Sequence, residues 1–258
     1  MKIDDAVDYI RNLINTEIDL NKDNFVEFER KRDGEAYAID GSSTKLFDAY
    51  SFSVFARRIG YVFANEEKVI ERKAGDIEID IIHAENADEE NDARRQKEEL
   101  KLAMEYCKEN IVMIDGALNE KIDGVIGISK KSGLKKGNIP ILFIIKKFGE
   151  EILPNKCWYY EIDENVYAVK FHPYSKFVFR VDYYGNDLEE VLAEIASLCD
   201  DVSCLGYPYP LAEVHRLVKI SKEEAEYLKY ELQKRAVEKG LNLEEWEDLF
   251  YDYHEYLE

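Results

Sequence analysis

The sequence predicts an α/β protein with a mixed sheet flanked by helices, and three observations predict it. The first is the stretch Ile111–Leu118, IVMIDGAL, in which four apolar residues run into Asp115 and Gly116. A continuous apolar run of this length reads as a strand buried on both faces. The second is a matching stretch, Tyr37–Ser42, where another apolar strand ends in Asp40 and Gly41. The third is the order between them: strand-like segments in close succession, one long helix, then the buried strand. An aspartate ending such a strand sits where an open sheet meets solvent, and α/β sheets keep their sites at that edge. Asp-Gly by itself is also a common turn signal. Two copies, each behind a strand and neither in a hairpin pattern, point instead to paired carboxylates.

Along the chain, residues 1–30 read as helical. Asp4 or Asp5 stands at the start, and Ala6, Ile10, Leu13, Ile14 and Ile18 recur at three- and four-residue steps. The first strand is 36–40, with Gly41-Ser42-Ser43 as its exit loop. Residues 49–64 are rich in aromatic and β-branched types and predict one or two strands. At 77–83, IEIDIIH alternates apolar and acidic residues, as a half-buried strand does. These strands predict an antiparallel meander. Residues 85–110 predict a long helix whose acidic start suits the positive end of its dipole. Leu100, Ala103, Met104 and Cys107 share one face, bordered by Glu99, with Glu98 about 100° further round. Meander, helix and buried strand ending in Asp is the order of a ribonuclease H-like core, whose first and fourth strands lie side by side.

Downstream, VIGIS at 125–129 predicts a strand ending at Lys130, followed by a lysine-rich loop and an apolar run at 139–145. Three further strands lie within 157–184, and 187–199 has helical spacing. Two prolines then approach a helix carrying His215, and Ser221 caps another with Glu224 at the capping-box position. Residues 222–258 predict one or two acidic, Tyr-rich helices. The expected organisation is one domain over 1–220, with 1–30 as its helical start, and a C-terminal helical extension over 221–258.

At 258 residues the chain suits one large domain with an appendage. No run approaches the roughly 18 apolar residues that cross a bilayer. The N-terminus carries acids where a signal peptide carries basic residues, so a cytoplasmic protein with no membrane partner is expected. Cys107, Cys157, Cys199 and Cys204 are scattered without a CxxC, which favours buried thiols over zinc or disulfides. With 55 acids against 35 bases the net charge is −20, which argues against a surface coated for DNA binding. Yet residues 130–147 hold six lysines and no acid. Within that local patch, Lys130, Lys131, Lys135 and Lys136 are the candidate DNA contacts.

Asp40 and Asp115 at the ends of two neighbouring strands make a hard-oxygen site for Mg²⁺ or Mn²⁺, and a helix carboxylate would add a third ligand. Such ions activate water, neutralise charge at phosphorus and help the leaving oxygen. Carboxylates held together repel one another, so the cluster calls for a cation.

Five segments carry a family resemblance: AIDGS at 38–42, EELKLA at 98–103, MIDGAL at 113–118, GISK at 127–130 and GYPYPLAEVH at 206–215. In this order the chain resembles the NurA nucleases, DNA-end-processing enzymes that work with the HerA translocase. The resemblance implies a ribonuclease H-like fold, Mn²⁺ or Mg²⁺ dependence, 5′→3′ degradation of DNA ends and cutting of single strands. It also implies a homodimer docked on a HerA hexamer, in DNA end resection for double-strand break repair. By motif, Asp40 and Asp115 carry over as metal ligands, and the helix glutamate is Glu99 or Glu98, with Glu99 in the matching ELKLA segment. His215, the tyrosine of GYP (Tyr207, with Tyr209 close by) and Lys130 carry over as further site residues. In such a site His215 completes a Mn²⁺ shell or orients a phosphate, Lys130 neutralises the scissile phosphate, and Tyr207 stacks a base or bonds a phosphate.

Two other readings compete. A ribonuclease H-like adaptor without activity would dock on a motor ATPase through acidic and aromatic surfaces. An actin-like kinase would need a second, similar half with its own phosphate loop, and the sequence has no second copy. Phe171, Tyr174, Phe177 and Phe179 either alternate into strand packing or line a DNA groove.

Overall fold

The apolar and β-branched runs do form strands, and a computed structural model describes residues 2–15, 20–49, 51–118 and 120–250. The elements in chain order are α1 (Ile3–Ile14), β1 (Phe25–Glu27), β2 (Glu35–Asp48), β3 (Ser53–Asn65), β4 (Val69–Ala74), β5 (Glu78–Ile82) and α2 (Ala87–Tyr106). They continue with β6 (Ile111–Asp115), β7 (Val125–Ser129), β8 (Lys135–Lys136), β9 (Ile139–Pro140) and α3 (Ile141–Ile152). The remainder are β10 (Trp158–Asp163), β11 (Val166–Lys170), β12 (Phe179–Tyr183), α4 (Leu188–Ser197), α5 (Tyr209–Val218), α6 (Lys222–Glu238) and α7 (Leu243–Leu249). The main sheet has the order β1-β10-β11-β12-β7-β6-β2-β3-β4, with β5 added to β3. β6 and β7 pair in parallel while β1-β10-β11-β12-β7 pair antiparallel in turn, so the sheet is mixed. The two Asp-Gly strands, β2 and β6, are adjacent in that order, as a ribonuclease H-like core requires.

The chain forms two compact units. The first comprises Met1–Ala38, Val62–Glu71 and Ala103–Glu213. Its core around Trp158 gathers Phe25, Ile144, Ile145, Tyr160 and Ala168, and Val112 and Met113 of β6 are fully buried. The second comprises Ile39–Tyr61, Arg72–Leu102 and Val214–Glu258. There Leu46, Ala56 and Ile220 are buried, with Leu228 and Leu232 of α6 against them. The capping box that Ser221 and Glu224 promise is present, with Ser221 Oγ accepting the Glu224 N–H at 3.1 Å.

Several expectations need correction. The helix expected over residues 1–30 ends at Ile14, and Ile18 lies outside the described residues. Asn21 then caps a single 3-10 turn and the chain extends into β1. Phe25 packs its ring 4.7 Å from Tyr160 and 5.4 Å from Trp158, so tertiary packing overrides the local helical spacing. Asp4 and Asp5 do not cap α1 as the residue before it; Asp5 reaches back to the N–H of Lys2 at 3.1 Å. Gly41-Ser42-Ser43 is no exit loop: β2 runs on to Asp48, which puts Asp40 inside the strand. β4 escaped the sequence reading, because VIERKA lacks an apolar alternation. On β5 only Ile82 of the three isoleucines is buried. Ile79 and Ile81 face out, while Asp80 engages Arg57 and Arg94. On α2, Met104 is exposed and Glu99 is buried with Ala103. The apolar run at 139–145 turns into α3 directly after Pro140, a case in which a short apolar stretch does not tell strand from helix.

Candidate metal centre

Asp40, on β2 in the second unit, is held by its neighbour Gly41 and by His215 of α5. One carboxylate oxygen, Oδ1, accepts the Gly41 N–H at 2.8 Å, and Oδ2 lies 2.8 Å from Nδ1 of His215 on α5. The aspartate is buried, while the imidazole is more than half exposed. Ser43 Oγ accepts from Asn91 of α2 at 2.8 Å, and Ser42 Oγ accepts from the Ile220 N–H at 3.3 Å. These bonds tie β2, just after the aspartate, to α2 and to the link between α5 and α6.

Gly41 has no unusual backbone; its need is space. A Cβ there would stand 2.6 Å from Glu99 Oε1 and press on Ile59 and Arg95 as well. Glu99 is 2% exposed and takes Arg95 Nη1 at 2.5 Å. Glu98, one position on, points elsewhere and is gripped by Arg57 through two nitrogens at 2.7 and 3.0 Å. Of the two glutamates that spacing left open, Glu99 is the one beside the Asp40-Gly41 backbone. Arg95 escaped the sequence reading, although its place four residues before Glu99 is the signal for an intrahelical ion pair.

In the first unit, Asp115 ends β6 and Lys130 directly follows β7. The Lys130 ammonium bonds Asp115 Oδ2 at 2.6 Å and sits 4.7 Å over the ring of Tyr207. Gly116 has φ +145°, a conformation that favours glycine, and its N–H joins the Ile128 carbonyl at 3.1 Å. The following turn is fixed by Asp182, fully buried on β12, which accepts the Leu118 N–H at 3.1 Å and Arg180 Nε at 2.9 Å. That support was invisible in sequence, because VDYY reads only as strand. Tyr207 is buried with its ring 5.3 Å from Phe179. Tyr209 is a structural peg: its hydroxyl donates to the Asn65 carbonyl at 2.5 Å, and burial pushes its pKa up to about 12.

Lys131 is exposed, and Lys135 and Lys136 form an exposed strand paired with Ile139 and Pro140. The four cysteines are free, and burial lifts the Cys157 thiol to about 11. Cys199 is pushed up for the same reason, which suits inert thiols. No helix among the described residues is long and apolar enough to cross a membrane.

The sequence profile of the NurA domain matches residues 34–170 and 159–220, well over half of the chain. The chain belongs to the NurA family. Its fold is that of the NurA nuclease from Sulfolobus solfataricus, with a TM-score of 0.68 at 19% identity over 92% of this chain and 95% of that one. A crystal structure of NurA bound to dAMP and manganese superposes with a TM-score of 0.61 at 12% identity, covering 92% of this chain and 93% of the other. A further NurA structure matches at 0.62 and 11% identity, over 93% and 96% of the two chains. At these identities the likeness is one of fold. No curated protein matches the sequence.

Proposed function

We propose that the protein is a divalent-metal-dependent deoxyribonuclease whose ion is held by Asp40, Asp115 and His215, with Glu99 alongside. One observation carries this reading. Within the second unit, Nδ1 of His215 lies 2.8 Å from Oδ2 of Asp40, which sets a ring nitrogen and a carboxylate oxygen side by side. Two carboxylates and an imidazole form a donor set that Mn²⁺ accepts well, and Mg²⁺ accepts its oxygen part. The NurA relative that binds dAMP and manganese supports the same chemistry. When bound, such an ion supplies an acidified water and neutralises charge at phosphorus.

The chain's own groups do the rest. Asp40, with one oxygen committed to the Gly41 N–H, presents the other in a fixed direction. Arg95 holds Glu99 in place and balances its charge inside the fold. Lys130 reaches past Asp115 to meet a phosphate oxygen with a charge-assisted bond. Tyr207 backs the ammonium with its ring face. Lys131, Lys135 and Lys136 follow the phosphate backbone in an otherwise acidic protein. On this reading the substrates are single- and double-stranded DNA ends, cut 5′→3′, with a HerA-type hexameric ATPase and a second copy of the chain as partners in end resection.

The test is digestion of end-labelled DNA with Mn²⁺ by the wild type and by Asp115→Asn. The wild type is expected to cleave and the variant to lose at least a thousandfold, on the order of what a metal ligand contributes. Equal cleavage by both would remove the mechanism. Intact DNA under every divalent ion would favour the adaptor without activity.

A further inference from the structure

Two large aromatic side chains stand in solvent on the loop that leads into β12, and a set of hydrogen bonds holds that loop in place. Tyr174 is 75% exposed and Phe177 is 64% exposed, with Lys176 between them also exposed. Both lie in the segment between β11 and β12, in the first unit. The segment is braced throughout. The Ser175 N–H bonds the His172 carbonyl at 3.1 Å, and the Tyr174 N–H bonds His172 Nδ1 at 3.2 Å. Ser175 Oγ donates to the Leu205 carbonyl at 3.0 Å and accepts the Phe177 N–H at 3.1 Å. Gly206, at φ +87°, lets Ser175 seat against the turn that delivers Tyr207; any Cβ there would collide with the serine side chain.

From the exposed end, rings lead inward. Phe177 lies 6.4 Å from Phe179, Phe179 lies 5.3 Å from Tyr207, and Tyr207 carries the Lys130 ammonium on its face. Lys130 in turn bonds Asp115. The path therefore runs from one exposed ring, Phe177, through two buried ones to a carboxylate of the proposed metal centre, while Tyr174 stands beside His172, their rings 5.8 Å apart.

We infer that Tyr174 and Phe177 are a stacking platform for unpaired bases of single-stranded DNA, which deliver the strand to Lys130 and Asp115. This rests on the nuclease reading above. Ring faces interleaved with lysines suit a chain of flat bases strung on phosphates, since stacking accepts any base and the ammonium groups take the backbone. An aliphatic partner surface would instead call for a contiguous apolar patch, and Lys176 interrupts this one. Interior base pairs of duplex DNA are stacked on both faces, so the platform favours unpaired bases.

The test uses the full chain and a fluorescent oligothymidylate in calcium, with binding read by anisotropy. Tyr174→Leu/Phe177→Leu keeps the apolar bulk and removes the rings; Tyr174→Phe/Phe177→Tyr keeps both ring faces. The leucine pair is expected to bind at least about tenfold more weakly, as loss of one or two stacked bases requires, while the aromatic swap binds as wild type. An oligonucleotide with abasic sites should bind wild type and leucine pair equally. Unchanged affinity in the leucine pair would overturn the platform, and so would an equal loss on blunt duplex DNA. Unchanged affinity with a shift from dimer to monomer in sedimentation would overturn it too, by assigning the rings to a protein interface. The nuclease reading fails separately: ring-dependent binding by a wild type that cleaves nothing in Mn²⁺ sinks that reading and leaves the platform standing.

Discussion

Nδ1 of His215 lies 2.8 Å from Oδ2 of Asp40, so an exposed imidazole is held by a buried carboxylate. With Oδ1 committed to the Gly41 N–H, that Oδ2 is the oxygen a cation would share with the ring. Mn²⁺ binding to the folded chain alone should therefore stabilise it, by about 2.7 kcal/mol when the ion is at a hundred times its Kd. A thermal melt with and without Mn²⁺ reads this as a rise in Tm. Asp40→Asn should melt at the same temperature in both conditions, and His215→Ala should keep part of the rise. A full rise in Asp40→Asn would place the ion elsewhere.

Gly41 is set by its neighbours rather than by its backbone. The Cβ of Gly41→Ala would meet Ile59 Cδ1, Glu99 Oε1 and Arg95 Cγ together, so three side chains, one of them the buried Glu99, must shift at once. Overpacking of this kind costs about 1–3 kcal/mol. Urea unfolding should show a lower midpoint at an unchanged slope, and cleavage should fall by more than the stability loss accounts for. A variant as stable and active as wild type would mean that the helix is not held against the strand as described.

Both Asp-Gly strands and the helix between them were legible in the sequence, because long apolar runs and dipole-matched acids are strong local signals. The pairing of β2 with β6 followed from element order alone. What was not legible depended on partners distant in sequence. Nothing in GSSTKLFD says that the strand continues; its serines look like a loop until Asn91 and the Ile220 N–H are seen bonding to them. Likewise the choice between Glu98 and Glu99 waits on Arg57, forty-one residues away, which takes the first and leaves the second beside Gly41. The support that Asp182 gives to the turn after Asp115 spans 64 residues and leaves no local trace. Exposure of Tyr174 and Phe177 was equally hidden, since PYSKFVF reads as alternating strand until the chain is seen to extend only from Phe179.

The Lys130–Asp115 pair is partly exposed, and ion pairs of that kind contribute about 0–1 kcal/mol to stability. Lys130→Met should therefore leave the Tm nearly unchanged. Its effect belongs on the reaction, where loss of one charged donor to a transition-state oxyanion costs about 100–1,000-fold. Single-turnover cleavage in Mn²⁺ separates the two, and Lys130→Arg should recover part of the rate because it restores the charge. A Lys130→Met enzyme with unchanged turnover would reduce the lysine to a surface contact.

His172 gives the fold an acid-sensitive point. Its Nδ1 accepts the Tyr174 N–H at 3.2 Å, so the ring proton sits on Nε2, 3.3 Å from Asp200 Oδ1. Burial holds its pKa below the usual 6.5; Arg30 and Lys170 lower it further, and Asp200 opposes them. Arg30 also pairs with Asp200, which weakens that opposition. A base with a lowered folded pKa stabilises the fold fully above the unfolded value and loses that contribution as pH falls from about 6.5 toward the folded value. Protonating Nδ1 also gives up the bond to the Tyr174 N–H. Melting between pH 8 and pH 5 should show the wild type losing stability below about pH 6.5. His172→Gln, which keeps an acceptor and cannot titrate, should lose less over the same interval. Parallel slopes for both proteins would assign the acid sensitivity to other groups.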